Sequence, residues 1–254
     1  MRQHAQFAIL DCEDEPRWAG HEDRWLRPLS RSSERWDIFR VWASELPPSP
    51  EAYDGYVITG SHHSVNDPSQ VWLGPLFRFV AACNKAAPDG PQILGACFGA
   101  QVLGRSLGGR VSENRSSRFI FGTEEIALHD PFHRAWFLPD SAPIIPRRSL
   151  RLLTSHGEHV CDLPTGAELL ADSQRSPHEI FTVGRHALAV QGHAELSLAD
   201  LTDNILPRLR ERGRLSPQEE ADAIASLACP VDSELVLRCM RRFLDGPTDR
   251  PAKV

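Results

Sequence analysis

Long apolar runs are what this 254-residue chain most clearly lacks. No stretch approaches the about 20 consecutive apolar residues that cross a bilayer, so no membrane partner is expected. The start, Met1-Arg2-Gln3-His4-Ala5, leads into a strand-like run and not into a signal-peptide core. Cysteine is sparse: six, at 12, 83, 97, 161, 229 and 239, mostly within apolar segments. So few in so long a chain do not make a disulfide scaffold, and no CxxC pair is present for zinc or redox exchange. A reducing cytoplasm is the expected location. A basic stripe is also missing: the formal charge is −6 and the arginines are scattered, so no nucleic-acid partner is expected. There is no Walker-type loop, and Gly104 with Gly108-Gly109 is spaced for helix termination, not for a dinucleotide turn. The HExxH arrangement is absent too. His62-His63 with Asp67, and His129-Asp130 with His133, are the remaining metal candidates. Adjacent histidines in an extended loop point opposite ways, and Pro131 interrupts a helix through 129 and 133, so neither a metal nor a cofactor is expected. No repeat or low-complexity linker divides the chain.

What is present is enough apolar residue, 41%, for a real core. Gln6–Asp11, Trp36–Val41, Tyr56–Ile58 and Gln92–Leu94 read as short strands. They recur roughly every 25 to 30 residues, the length of a βαβ unit, which predicts a mainly parallel sheet with helices on both faces. Trp72-Leu73, Leu76-Phe77 and Val80-Ala81 have helical spacing, predicting a covering helix over 70–87. Charged Cys12–Arg31, with Trp18, Trp25 and Leu26, reads as a helix or a loop at the edge of the site. From Val111 the pattern changes to closely spaced strands: 118–121, 124–128, 150–153, 168–171, 178–183 and 186–191, a small antiparallel excursion. The rest is helical. Leu198, Leu201, Ile205 and Leu209 form one stripe that Pro207 should kink. Pro217–Leu227, capped by Ser216, and Asp232–Phe243 follow. The expected organisation is a catalytic domain over 1–210, a helical extension over 211–247 packed on it, and a frayed tail at 248–254.

Gly95-Ala96-Cys97-Phe98-Gly99-Ala100-Gln101 stands between a buried strand and a helix closed by Gly108-Gly109. A nucleophile at a Gly-flanked strand-to-helix turn is the arrangement of a nucleophile elbow, with Cys in place of Ser. The glycines allow the sharp turn, and the helix start offers N–H groups to an anionic sulfur. The other cysteines at 83, 161, 229 and 239 read as small core residues. A cysteine nucleophile needs a base and an orienting group. His193 follows the apolar strand Ala187–Gln191, and a parallel strand ending there would share a sheet edge with Cys97. Glu195 is two residues on, on the same side of an extended segment, within reach of the ring.

This constellation resembles the class I glutamine amidotransferase family. The motif G-x-C-x-G-x-Q is complete at 95–101, and the late His-Pro-Glu segment is His193-Ala194-Glu195, with Ala for Pro. Tyr56–Ser61 is similar to the loop whose glycine N–H helps form the oxyanion hole. Thr154–Glu158 resembles the Ser-His-Gly-Asp segment of the branch near the amidotransferase domain of GMP synthase, with Glu for Asp. The resemblance implies a flavodoxin-like three-layer fold and acyl transfer through Cys97, with Gly60 and Phe98 N–H groups meeting the oxyanion and His193 as acid and base. It implies that Gln101 helps wall the substrate pocket. His156 and Glu158 then either contact the α-amino and α-carboxylate end or brace the loop. The implied substrate is glutamine or another γ-glutamyl small molecule. The released ammonia goes to a separate synthase subunit, or the protein acts alone as a γ-glutamyl peptidase. A DJ-1/PfpI-like cysteine hydrolase and a catalytically silent binding or regulatory subunit are the alternatives.

Overall fold

In the computed structural model, residues 4–86, 90–114, 118–139 and 147–247 are described. The tail expected at 248–254 lies outside them, as do Met1–Gln3. The first strand is apolar on both faces, so it must be covered twice. β1 (Gln6–Asp11) turns Phe7 and Ile9 to one face and Ala8 and Leu10 to the other. It pairs in parallel with β2 (Arg35–Arg40) and with β3 (Gly55–Ile58). Phe7 lies opposite Trp36 in this register, and their rings stack at 4.9 Å. After α1 (Asp23–Leu29), which precedes β2, and α2 (Leu73–Lys85) come β4 (Gln92–Ala96) and α3 (Phe98–Ser106).

The second half adds β5 (Arg110–Glu113), β6 (Ile120–Leu128), the one-turn α4 (Asp130–His133), β7 (Ser149–His156), β8 (Glu158–Asp162), β9 (Ala167–Asp172), β10 (Ile180–Val183) and β11 (Ala187–Val190). One nine-stranded sheet runs β2-β1-β3-β4-β11-β10-β9-β6-β7. The pairings from β2 to β11 are parallel and those from β11 to β7 antiparallel. The antiparallel strands therefore extend the same sheet, and the separate ribbon is β5–β8. Residues 118–128 are not two strands: β6 runs through Gly122, whose φ of 112° keeps the pairing continuous across the expected break.

α2 and α3 cover one face through Leu73, Leu76, Val80, Phe98, Val102 and Leu103. Gly104 does not end α3: it lies inside the helix, where a Cβ would meet Val160 Cγ2 at 2.7 Å, so its role is close packing on β8. α7 (Ser233–Asp245) covers the other face with α1, burying Val236, Met240, Phe243 and Leu244. Each such side chain contributes about 1.5–3 kcal/mol. Arg241 ties this layer together: its guanidinium meets Glu34 at 2.9 Å, Asp245 at 2.5 Å and Leu29 O at 2.6 Å.

The 198–209 stripe is broken as Pro207 predicts. Pro207 has no N–H for the preceding turn, which opens into a π-helical segment, Asp200–Ile205, before α5 (Leu206–Glu211). Leu198 falls outside and is exposed. α6 (Pro217–Ser226) starts on a full capping box, Ser216 Oγ accepting from Glu219 N while the Glu219 carboxylate accepts from Ser216 N. Cys83 and Cys239 are buried as expected, whereas Cys161 is partly exposed and Cys229, just past α6, is exposed.

Candidate active site

The turn from β4 into α3 holds Cys97 at φ 51°, ψ −107°, a left-handed conformation that costs a non-glycine residue about 1–3 kcal/mol. Its neighbours show why it persists. A Cβ on Gly95 would lie 2.3 Å from Gly99 O, and one on Gly99 would lie 2.2 Å from Ile58 O. Only glycine at both positions lets the turn close against β3. Cys97 N donates to Val190 O at 2.9 Å, pinning the turn to β11, and the thiol lies 3.8 Å from Ser155 O.

β11 runs parallel to β4 with Val190 opposite Ala96, so both strands end at the same sheet edge. The chain then crosses β7, where His193 N donates to Leu153 O at 2.8 Å. This brings the His193 ring beside Cys97 at the edge of one cleft. Nδ1 meets Glu195 Oε1 at 2.7 Å, which leaves Nε2 for the sulfur. Burial pushes the His193 pKa down, but the Glu195 carboxylate and Cys97 outweigh it and hold the ring well above the ordinary histidine range. Among the described residues Glu195 Oε2 is buried without a protein donor, so an imidazolium is the group that offsets the carboxylate charge.

Gly60 closes the third side. A Cβ there would lie 3.3 Å from His193 Cε1 and 3.9 Å from Cys97 Cβ. Thr59 fixes this loop by accepting from Cys12 N at 3.0 Å and donating to Gly60 O at 3.0 Å. Phe98 opens α3, so its N–H has no partner inside the helix.

Gln101 and His156 brace the next stretch. Gln101 Nε2 donates to Glu158 O at 2.8 Å, and His156 Nδ1 donates to the same carbonyl at 2.9 Å. Burial, helped by the charges of His159 and His193, pulls His156 down to about 3, so it is neutral, and among the described residues its Nε2 is a buried acceptor without a protein donor. The Glu158 carboxylate accepts from Ser64 Oγ at 2.7 Å and Asn66 Nδ2 at 3.3 Å. All eight expected site residues lie around one cleft of about 730 Å³. The Cys12–Arg31 segment is both loop and helix, and Glu13, Trp18 and Arg24 from it line the same cleft.

The expectation for His62 and His63 is overturned. Their rings do not diverge but lie side by side, with centroids 4.0 Å apart. Glu13 Oε1 draws in His62 Nδ1 at 2.6 Å and Asp14 Oδ1 draws in His63 Nε2 at 2.9 Å, so the loop is bent and not extended. Among the described residues, Asp14, His62 and His63 have potential metal-ligating atoms within 4.8 Å of one another, each imidazole already paired with a carboxylate. His129 stands just before the single helical turn Asp130–His133, and His133 ends it. Sequence reasoning also missed Ser64, Asn66, Phe119 and Arg214. None falls in a motif; Ser64, Phe119 and Arg214 line the cleft, and Asn66 bears on it through Glu158.

The family model for glutamine amidotransferase class-I matches residues 35–209. The chain belongs to the class I glutamine amidotransferase family. It is 27% identical to γ-glutamyl peptidase 3 of Arabidopsis thaliana over 259 residues, covering 97% of this chain and 99% of that one. It is 30% identical to γ-glutamyl peptidase 5 of the same plant over 198 residues, 74% of each chain. A solved glutamine amidotransferase from Thermotoga maritima shares the fold, with a TM-score of 0.67 and 19% identity over 96% of this chain and 99% of that one. Among the described residues no helix is long and apolar enough to cross a membrane.

Proposed function

We propose that this family member is a stand-alone γ-glutamyl hydrolase that cleaves γ-glutamyl amide bonds in small peptides through a thioester on Cys97. The observation that carries this reading is the single row Cys97–His193–Glu195, with its strained nucleophile and its carboxylate-held ring. The Cys97 sulfur, as thiolate, attacks the amide carbonyl carbon of the γ-glutamyl group. Negative charge collects on the carbonyl oxygen, beside the N–H groups of Gly60 and Phe98. The His193 imidazolium gives its Nε2 proton to the leaving amine as the C–N bond breaks. The neutral ring then takes a proton from water, which attacks the thioester and releases glutamate and the thiolate. Glu195 holds the tautomer throughout. Gln101 and His156 fix the turn that carries Glu158, whose carboxylate receives the substrate's α-ammonium.

The near full-length similarity to a γ-glutamyl peptidase favours a peptide over free glutamine as the substrate. A cleft several times larger than one glutamine side chain supports the same choice. The cytoplasm suits a thiol nucleophile. The test is a panel of γ-glutamyl dipeptides, γ-glutamyl tripeptides and free glutamine, read by released glutamate with wild type and C97A. The expected result is turnover of peptides by wild type alone and none by C97A. Turnover of glutamine only, and only with a synthase partner added, would instead assign an amidotransferase subunit. Turnover of acyl substrates without a γ-glutamyl group would assign a hydrolase of DJ-1/PfpI type.

A further inference from the structure

The α-end of a γ-glutamyl group carries an ammonium and a carboxylate, and the cleft residues named so far provide for only the first. Glu158 is an acid held by two neutral donors, Ser64 and Asn66, so its charge is open to a cation. His156 is neutral and cannot offset a carboxylate. A cation must come from elsewhere, and the arginines that line the cleft differ sharply in what they already bind. Arg24 has Asp200 at 2.5 Å, Arg118 has Glu219 at 3.2 Å, Arg17 has Glu15 at 3.6 Å, and Arg208 also pairs with Glu15. Among the described residues, Arg212 and Arg214 have no carboxylate within ion-pair distance.

Of these two, Arg214 is seated on the turn that holds His156 and Glu158. Its guanidinium nitrogen lies 2.9 Å from the point where a Cβ on Gly157 would stand, and its guanidinium carbon lies 5.5 Å from the Phe119 ring centroid. Gly157 carries no side chain, and the Arg214 guanidinium lies over it in the space a side chain would take. The position is built, not incidental. α5 ends with Gly213 at φ 58°, Gly213 N donating to Arg210 O at 3.0 Å and Arg214 N to Leu209 O at 2.9 Å. That is a Schellman turn, and it fixes the direction in which Arg214 leaves the helix.

We propose that Arg214 binds the α-carboxylate of the γ-glutamyl group and so selects γ-glutamyl substrates. The proposal rests on the γ-glutamyl reading above and adds a specificity-determining residue from beyond the family segment, which ends at 209. The distances agree. Ser155 O lies 3.8 Å from the Cys97 sulfur, and Gly157 is two residues further, about 6–7 Å along an extended chain. Four C–C bonds, about 5 Å when extended, separate the reacting carbon of a γ-glutamyl group from its carboxylate carbon. The guanidinium above Gly157 supplies the remaining reach. A fork of N–H donors with an aromatic ring beneath it suits a planar carboxylate. With Glu158 taking the ammonium, the two charges of the substrate meet two opposite charges on either side of one turn.

The test compares wild type, R214Q and R214K on three p-nitroanilides: γ-glutamyl, glutaryl (carboxylate without ammonium) and 4-aminobutanoyl (ammonium without carboxylate), and on a γ-glutamyl dipeptide with its C-terminus free or amidated. R214Q should raise KM about 10- to 100-fold on the first two, with kcat within about threefold, as expected for a charge-assisted bond made equally in ground and transition states. On 4-aminobutanoyl its kcat/KM should move less than about threefold, and R214K should recover part of the loss, because it keeps the charge without the fork. An equal loss on all three anilides overturns the proposal and assigns Arg214 a structural role. A loss confined to peptides with a free C-terminal carboxylate, absent when that end is amidated, overturns it in favour of leaving-group binding. No turnover of any γ-glutamyl compound by wild type overturns the γ-glutamyl reading itself, and this proposal with it.

Discussion

His193 carries the sharpest conflict of forces on one side chain. It is buried, which favours the neutral ring, yet Glu195 at 2.7 Å and Cys97 favour the imidazolium and prevail. The acid that protonates the leaving amine is therefore stored before substrate arrives. In E195Q that charge is gone while the hydrogen bond can re-form, so the ring loses its proton at lower pH. The alkaline limb of the kcat/KM profile, which reports loss of the imidazolium, should move to lower pH, and kcat should fall about 10²- to 10⁴-fold. A pH–rate series on both proteins checks this; an unmoved limb would separate Glu195 from the proton inventory. At this scale the site was readable where chemistry is local. Cys97, His193 and Glu195 sit in short motifs whose spacing already implies their geometry. His62, His63 and Arg214 were not readable, because their orientation depends on Glu13, Asp14 and Phe119, which are distant in sequence.

The elbow is the element on which the site depends. β4, the turn and α3 are held by two backbone approaches that leave no room for a methyl group, Gly95 on Gly99 and Gly99 on Ile58. G99A would push α3 away from β3 and carry Phe98 N and Cys97 out of line with Gly60. We expect a loss of at least about 1–3 kcal/mol by urea unfolding, together with a fall in kcat larger than the loss of folded protein explains. A variant with unchanged stability and rate would show that the close approach is dispensable. Element boundaries were readable where a local rule acts alone: β1 at Gln6–Asp11, the Ser216 cap, the break at Pro207. They were misread where tertiary packing decides, as at Gly104, which reads as a stop signal but is an interior helix residue pressed on Val160.

Across the whole molecule, the cleft opens where β4 and β11 end side by side, the usual place for a site in a parallel α/β sheet. Its walls come from opposite ends of the chain: Glu13 and Trp18 after β1, the 60–64 loop, the β7–β8 turn, and Arg214 after α5. Composition and strand spacing pointed to the sheet and to its two apolar faces. They did not reveal its order, because β11 lies beside β4 only through contacts nearly a hundred residues apart, and because the antiparallel strands continue the same sheet. α7 likewise reads as a simple amphipathic helix, and only packing shows that Phe243 and Met240 complete the core. A γ-glutamyl thioester on Cys97 is the step that every other role serves, and intact-protein mass spectrometry can detect it. Wild type, mixed with a saturating γ-glutamyl p-nitroanilide and rapidly quenched in acid during turnover, should gain the mass of one γ-glutamyl group, mapped by proteolysis to Cys97 and absent in C97A. No adduct on wild type with any γ-glutamyl substrate, or an adduct on another cysteine, would contradict it.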